Sequence, residues 1–95
     1  MEVTIHQQET KGFAMVRDNG KRAGAMTFSI ASPELIIIDH TEVETEYNGK
    51  GIGKLLLYKI VDMAREKNIK ILPLCPYAAA QFKKIAEIRD VLRDQ

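Results

Sequence analysis

The first half of the chain alternates apolar and polar residues with the two-residue period of β-strands. Val3 and Ile5 begin this pattern, and residues 13–17 and 22–30 continue it on either side of the pair Asn19-Gly20. Asn-Gly tolerates the positive φ angles of a tight type I′ turn. The two flanking runs therefore predict a β-hairpin.

The second half changes from strand to helical periodicity. Residues 35–43 are rich in β-branched residues, and their unbroken apolar run at 35–38 predicts a strand covered on both faces. Residues 52–67 predict an amphipathic helix, 69–74 a short buried strand, and 75–93 a final helical stretch. The apolar stripe of the central helix comprises Ile52, Leu55, Leu56, Ile60, Met63 and Ala64.

The order strand, helix, strand predicts a parallel pair joined by a right-handed crossover. The carboxyl ends of both strands then meet at one edge, where open α/β sheets usually bind ligands. We expect His40, the glycine-rich loop that follows it and Cys75 to converge there. The core between the sheet and the central helix is predicted to contain Ile36, Ile38, Leu56, Ile60, Met63 and Ile71.

Composition narrows the class of protein. The 95 residues predict one domain spanning 1–95, and a hydrophobic content of 45% predicts a packed fold. Fourteen basic and thirteen acidic residues give a net charge of +1, which argues against nucleic acid and membrane partners. The single cysteine excludes an intramolecular disulfide and a Cys-pair zinc site. We expect a cytoplasmic protein without a metal; its oligomeric state stays open, and a monomer is compatible with these features.

Glycines at three alternate positions, Gly49, Gly51 and Gly53, lie between a predicted strand and a helix N-terminus. Such a loop turns backbone N–H groups toward one point, and the helix dipole adds partial positive charge there. The sequence therefore predicts an anion site, with Lys50 and Lys54 at its rim. The loop fits neither of two nucleotide-binding motifs, the P-loop GxxxxGK[ST] and the dinucleotide-binding GxGxxG. A purely structural tight turn is the alternative interpretation.

With its surroundings, the loop resembles motif A of the GNAT superfamily of acyl-CoA N-acetyltransferases, [QR]xxGx[GA] at the start of a helix. The motif falls on Asn48-Gly49-Lys50-Gly51-Ile52-Gly53, in which both small positions match and Asn48 replaces Gln or Arg. Two further segments resemble the compact, single-domain members of this superfamily, His40-Thr41-Glu42-Val43 and Cys75-Pro76-Tyr77. The resemblance covers about residues 12–92.

This resemblance implies an α/β (α+β) fold with a mixed, mostly antiparallel sheet, a splayed parallel strand pair, a central helix and a C-terminal helical segment. It implies that acetyl-CoA binds as co-substrate, with its pantetheine arm in the gap between the splayed strands. Thr41 and Val43 would donate and accept main-chain hydrogen bonds there, and Tyr77 would touch the arm. The pyrophosphate would lie on Asn48, Gly49, Lys50, Gly51, Ile52, Gly53 and Lys54.

Two residues carry the candidate chemistry. Cys75 precedes Pro76, which favours the first position of a helix, so Cys75 is a candidate N-cap. A helix N-terminus stabilises a thiolate, the nucleophilic form of cysteine. His40 is a candidate general base or a group that helps to ionise the thiol. The alternatives are a small buried core cysteine and a hydrogen-bonded sheet histidine.

The leading hypothesis is an acetyl-CoA-dependent N-acetyltransferase that acts on an amine acceptor. Either the amine attacks acetyl-CoA directly, or Cys75 is acetylated first and passes the acetyl group on. An acyl-CoA-binding module with little turnover is the alternative function, and a phosphate-ligand or protein-interaction module is a third.

Overall fold

A computed structural model describes residues 1–93 of the chain. These residues form five strands, two α-helices and two 3₁₀ segments. In chain order they are β1 (Glu2–Gln7), β2 (Lys11–Asp18), β3 (Lys21–Ser32), β4 (Leu35–Val43), a 3₁₀ turn (Thr45–Tyr47), α1 (Ile52–Lys67), β5 (Lys70–Pro73), α2 (Pro76–Lys84) and a 3₁₀ helix (Ala86–Val91).

The five strands form one sheet in the order of the sequence, β1-β2-β3-β4-β5. Strands β1 to β4 pair with one another antiparallel, and β5 pairs parallel with β4, which confirms the predicted mixed sheet and its parallel pair. Asn19 and Gly20 have φ angles of 52° and 84°, so the predicted hairpin turn is confirmed.

Helix α1 has the predicted bounds and packs its apolar side across the sheet. It ends where Asn68 adopts a left-handed φ of 56°. Leu56 and Ile60 are fully buried, and Met63 is half-buried and packs against the core. Leu55 is 41% exposed, so the predicted stripe is wrong at this position. The buried side of α1 is instead completed by Leu57 and Val61.

Within residues 1–93, α1 covers one face of the sheet and leaves the other open. Along β4, Ile36 and Ile38 are buried under α1, whereas Leu35 and Ile37 are half-buried, so the prediction of a strand covered on both faces is wrong. Continuous apolar character does not show which side a helix covers, since β4 is apolar on both. We call the side of the sheet away from α1 the open face.

The C-terminal segment departs from the single helix predicted for residues 75–93. Helix α2 ends at Lys84, Ile85 is extended, and the 3₁₀ helix follows. Its end returns to the sheet, where Leu92 forms a parallel bridge with Ile71. Because no proline or glycine marks this break, only tertiary contacts set it. Within residues 1–93, no helix is both long and apolar enough to cross a membrane.

Candidate functional site

Strands β4 and β5 separate soon after they pair. Their ladder covers Leu35 to Ile38 on β4, and the N–H groups of Leu74 and Cys75 then both donate to the carbonyl of Ile38, at 3.1 and 3.0 Å. Beyond this point, residues 40–43 of β4 pair with β3 alone in the part of the chain that the structure describes. A strand edge of this kind offers backbone donors and acceptors to a ligand that carries amides.

The glycine-rich loop lies directly after this free edge. Gly49 and Gly51 both have a φ of 78°, a left-handed conformation that favours glycine. Gly51 is the N-cap of α1 and offers no side chain to it, and Leu55 donates to the Gly51 carbonyl at 3.1 Å. The N–H groups of residues 52–54 precede that first helical bond and are available to an anion.

Tyr47 fixes the loop to the rest of the molecule. Its buried ring lies at the end of the 3₁₀ turn, and its hydroxyl donates to Asp18 on the β2–β3 hairpin at 2.9 Å. This hydrogen bond and burial of the ring raise the pKa of Tyr47. The Lys50 ammonium lies 5.5 Å from the ring centroid. Sequence analysis missed this anchor, because no local pattern links Tyr47 to Asp18.

The remaining loop residues divide between core and surface. Ile52 is buried and packs toward Gly24 of β3, so only its backbone faces the loop. Asn48 and Lys54 are exposed, as the predicted rim requires.

Gly53 lies under the ring of Tyr77, the second residue of α2. A Cβ atom at Gly53 would stand 2.6 Å from Tyr77 Cζ and 2.7 Å from its hydroxyl oxygen. Partial burial and, secondarily, the electrostatic interaction with Cys75 raise the pKa of Tyr77. The Tyr77 hydroxyl therefore stays protonated at neutral pH and can donate a hydrogen bond beside the start of α1.

Cys75 meets β4 through a side-chain contact. It is the N-cap of α2 with Pro76 at the first helical position, as the sequence predicts, and it is 3% exposed. Its Sγ lies 3.1 Å from Oγ1 of Thr41, within hydrogen-bonding distance for sulfur. Val43 follows on the same side of the strand and is half-buried.

His40 points to the open face. It pairs across the strands with exposed Thr27, while its neighbour Thr41 pairs with buried Met26. The His40 side chain is 67% exposed, and its Nε2 lies 3.8 Å from Glu42. The structure thus brings Thr41, rather than His40, to Cys75, and a catalytic role for His40 stays a prediction.

Arg22 neutralises two carboxylates beside this histidine. Its guanidinium contacts Glu42 at 3.0 Å and Glu44 at 2.9 Å. The hydrogen bond and the positive charge of Arg22 lower the pKa of Glu42. Among residues 1–93, no three or more His, Cys, Asp or Glu side chains cluster as metal ligands.

Comparison with known proteins identifies a family and several structures of the same fold. A family model described as GCN5-related N-acetyl-transferase matches residues 12–91. The chain is 34% identical to a GCN5-like protein of Staphylococcus aureus, over 97% of this chain and 89% of that one, with a TM-score of 0.70. None of the curated proteins compared matches the chain.

Two more distant structures share the fold alone. One is the ribosomal-protein-alanine N-acetyltransferase of Brucella melitensis biovar Abortus, which is 22% identical, with 93% of this chain and 65% of that chain covered and a TM-score of 0.67. The other is an acetyltransferase of Bacillus anthracis in complex with acetyl coenzyme A, which is 18% identical, with 81% and 46% covered and a TM-score of 0.62. The chain thus spans less than two thirds of the length of both structures.

Proposed function

The chain belongs to the GCN5-related N-acetyltransferase family, and from this membership we propose that it binds acetyl-CoA between β4 and β5 and transfers the acetyl group to an amine. The family, the mixed fold and the enzyme class predicted from the sequence are confirmed. The site residues, the acceptor and any part played by Cys75 belong to the proposal.

One observation carries the proposal: three chain segments meet where β4 and β5 part. They are the free edge of β4, the start of α1, and the start of α2. Thr41 contacts Cys75 between the first and third, and Gly53 contacts Tyr77 between the second and third. These two contacts link segments that the sequence relates only by their order along the chain, and they support a common site.

The residues present fit a CoA molecule laid along this junction. The main-chain groups of Thr41 and Val43 lie on the free edge, where the pantetheine amides would pair like a strand. The N–H groups of residues 49 and 51–54 would hold the pyrophosphate, with the side chains of Asn48, Lys50 and Lys54 beside them. The Lys50 N–H itself donates to the Tyr47 carbonyl at 3.3 Å. A Cβ at Gly49 or Gly51 would meet nothing within 4 Å, so the loop is open on that side.

Two routes of transfer fit this arrangement. In direct transfer, the amine nitrogen attacks the thioester carbonyl, the new N–C bond forms, the C–S bond breaks, and the amine proton passes to a base. His40 is suited to accept it from the open face. In the covalent route, Cys75 sulfur attacks first and CoA leaves as its thiol, after which the amine displaces Cys75. Thr41 would orient the sulfur in that case.

An acyl-CoA-binding module with little turnover is a second candidate. It is favoured by the exposure of the open face, since no helix within residues 1–93 closes over an acceptor bound there. The two functions differ in whether an amine accelerates consumption of bound acetyl-CoA.

The assigned CoA site can be tested with two glycines that share a left-handed backbone conformation. Gly51 and Gly20 both have a left-handed φ, at 78° and 84°, and a Cβ at either would meet nothing within 4 Å. Gly51→Ala and Gly20→Ala should therefore lose similar stability, about 1–2 kcal/mol by strain. Only Gly51→Ala should weaken CoA binding measured by calorimetry. Equal CoA affinity in the two folded variants would contradict the assigned site.

Cys75→Ala separates the routes of transfer. If the covalent route operates, wild-type protein mixed with acetyl-CoA should gain the mass of one acetyl group, and Cys75→Ala should bind CoA but lose transfer. Full transfer by Cys75→Ala would show that the amine attacks directly. Acetyl-CoA consumption that no amine accelerates would favour the binding module.

A further inference from the structure

The open face carries a large cavity that the CoA site does not use. It has a volume of about 930 Å³ and extends across four strands. Its lining includes His6, Phe13 and Thr27, which are neighbours across successive strands, and Lys11, Ser29 and Asp39. The rings of His6 and Phe13 stack with their centroids 4.9 Å apart.

Asp39 stands at the end of this cavity nearest the junction of β4 and β5. It is the extra residue of a β-bulge, since Phe28 pairs with Ile38 and Thr27 with His40. Asp39 therefore directly follows the Ile38 carbonyl at which the two strands separate. Because α1 covers the other face, a second substrate reaches that gap from the open face.

Charge distinguishes the two ends of the cavity. Asp39 accepts a hydrogen bond from Ser29 at 2.6 Å, and it forms no salt bridge with any cation of residues 1–93. Lys11 pairs across the strands with Ser29, and in the same range it forms no salt bridge either. Since the two lie two strands apart, their backbones are separated by about 10 Å.

We propose, resting on the proposed acetyltransferase function, that this cavity binds the acceptor and that the acceptor is an aliphatic primary amine with a neutral or anionic group at its other end. Asp39 holds the ammonium group at the transfer end. Phe13 and Thr27 form the floor beneath the aliphatic chain. Lys11 favours an anionic far end and disfavours a second ammonium, which excludes polyamines as preferred substrates.

Two probes of equal length test this charge pattern. Aminovalerate and cadaverine share a five-carbon chain and one amine end, and they differ only in whether the far end is a carboxylate or an ammonium. The wild-type protein should acetylate aminovalerate with the higher kcat/KM. Asp39→Asn should raise KM for both probes about tenfold, because the amide oxygen still accepts a hydrogen bond but lacks the charge that pairs with the ammonium group, while CoA affinity stays unchanged.

Lys11→Glu should reverse the preference, with a change in the ratio of the two kcat/KM values of about three- to tenfold. Glu34→Gln and Lys59→Glu are matched controls, since both side chains are exposed and neither lines the cavity. They should leave the ratio and both KM values as in wild type. Amide NMR shifts on adding aminovalerate to the CoA complex should concentrate on the open face around residues 27–29 and 39.

Three results would overturn the inference. These are an unchanged KM in Asp39→Asn, a probe preference that Lys11→Glu leaves untouched, and acetylation of other amines but of neither probe. A wild-type protein that does not bind CoA, or that acetylates no amine at all, would instead contradict the proposed function on which the inference rests.

Discussion

At the scale of single residues, local sequence patterns predict some features of the site and miss others. The dipeptide Cys75-Pro76 predicts an N-cap, and the structure places Cys75 there, because the preference of proline for the first helical position is local. Gly53, by contrast, needs to be a glycine for a reason that the sequence does not reveal. Motif spacing predicts a glycine at an anion site, whereas the contact that demands its size is with Tyr77. That contact joins two helices, so no sequence pattern contains it.

Gly53→Ala should displace the Tyr77 ring, because the new Cβ would lie 2.6 Å from it. Overpacking of this kind destabilises by about 1–3 kcal/mol. Denaturant unfolding should show this loss in the wild-type background, and a much smaller one in a Tyr77→Ala background, where the ring is absent. An equal loss in both backgrounds would mean that a contact of the new methyl group other than the one with Tyr77 accounts for the effect.

At the scale of elements, periodicity predicts type and extent better than orientation. Helix α1 has its predicted bounds because an apolar stripe and Asn68 are both local signals. Its buried side is rotated from the predicted one, since three- and four-residue spacings from Ile52 reach either Leu55 or Leu56. The break after Lys84 was not predictable, because contacts of the 3₁₀ helix with α1 set it and no breaker residue does.

Leu56→Ala and Leu55→Ala test this orientation with the same chemical change at adjacent positions. Leu56 is fully buried, so its truncation should leave a cavity and cost about 2–5 kcal/mol. Leu55 is 41% exposed, and its truncation should cost about 0.5 kcal/mol or less. Denaturant midpoints of the two variants measure the difference. Similar midpoints would contradict the placement of the helix face.

For the whole molecule, the sequence predicts the strand topology but not which face of the sheet a helix covers. A hairpin signal and a strand–helix–strand order determine which strands pair, and the sheet follows them. The open face was not predictable, because Ile37 is as apolar as Ile36 although only Ile36 is buried. Likewise, strand alternation places His40 and Thr41 on opposite faces. Nothing local indicates which of the two faces α1, since the bulge at Asp39 and the position of α1 decide it.

An ion pair between the C-terminal segment and α1 should make the free energy of unfolding decrease at acidic pH. Asp90 receives two hydrogen bonds from Arg65, at 2.9 and 2.8 Å, and Arg65 also donates to the carbonyl of Glu87. The hydrogen bonds and charge of Arg65 lower the pKa of Asp90 below its ordinary value of 3.8. A carboxyl with a lowered pKa in the folded state binds fewer protons there than in the unfolded chain. Its contribution is therefore complete above pH 3.8 and is lost as the pH falls toward the lower, folded-state pKa.

Asp90→Asn should consequently lower the melting temperature at neutral pH, and the difference from wild type should shrink as the pH falls below 3.8. Asp62→Asn is the matched control, because its carboxylate approaches the same Arg65 only to 3.9 Å, without the two hydrogen bonds that Asp90 accepts. Exposed pairs of that kind contribute little, so this variant should follow the wild-type curve. Thermal unfolding followed by circular dichroism from pH 7 downward measures both differences. A deficit in Asp90→Asn that stays constant across this range would mean that the amide disturbs packing between the 3₁₀ helix and α1, and that the charge of Asp90 does not hold the segment in place.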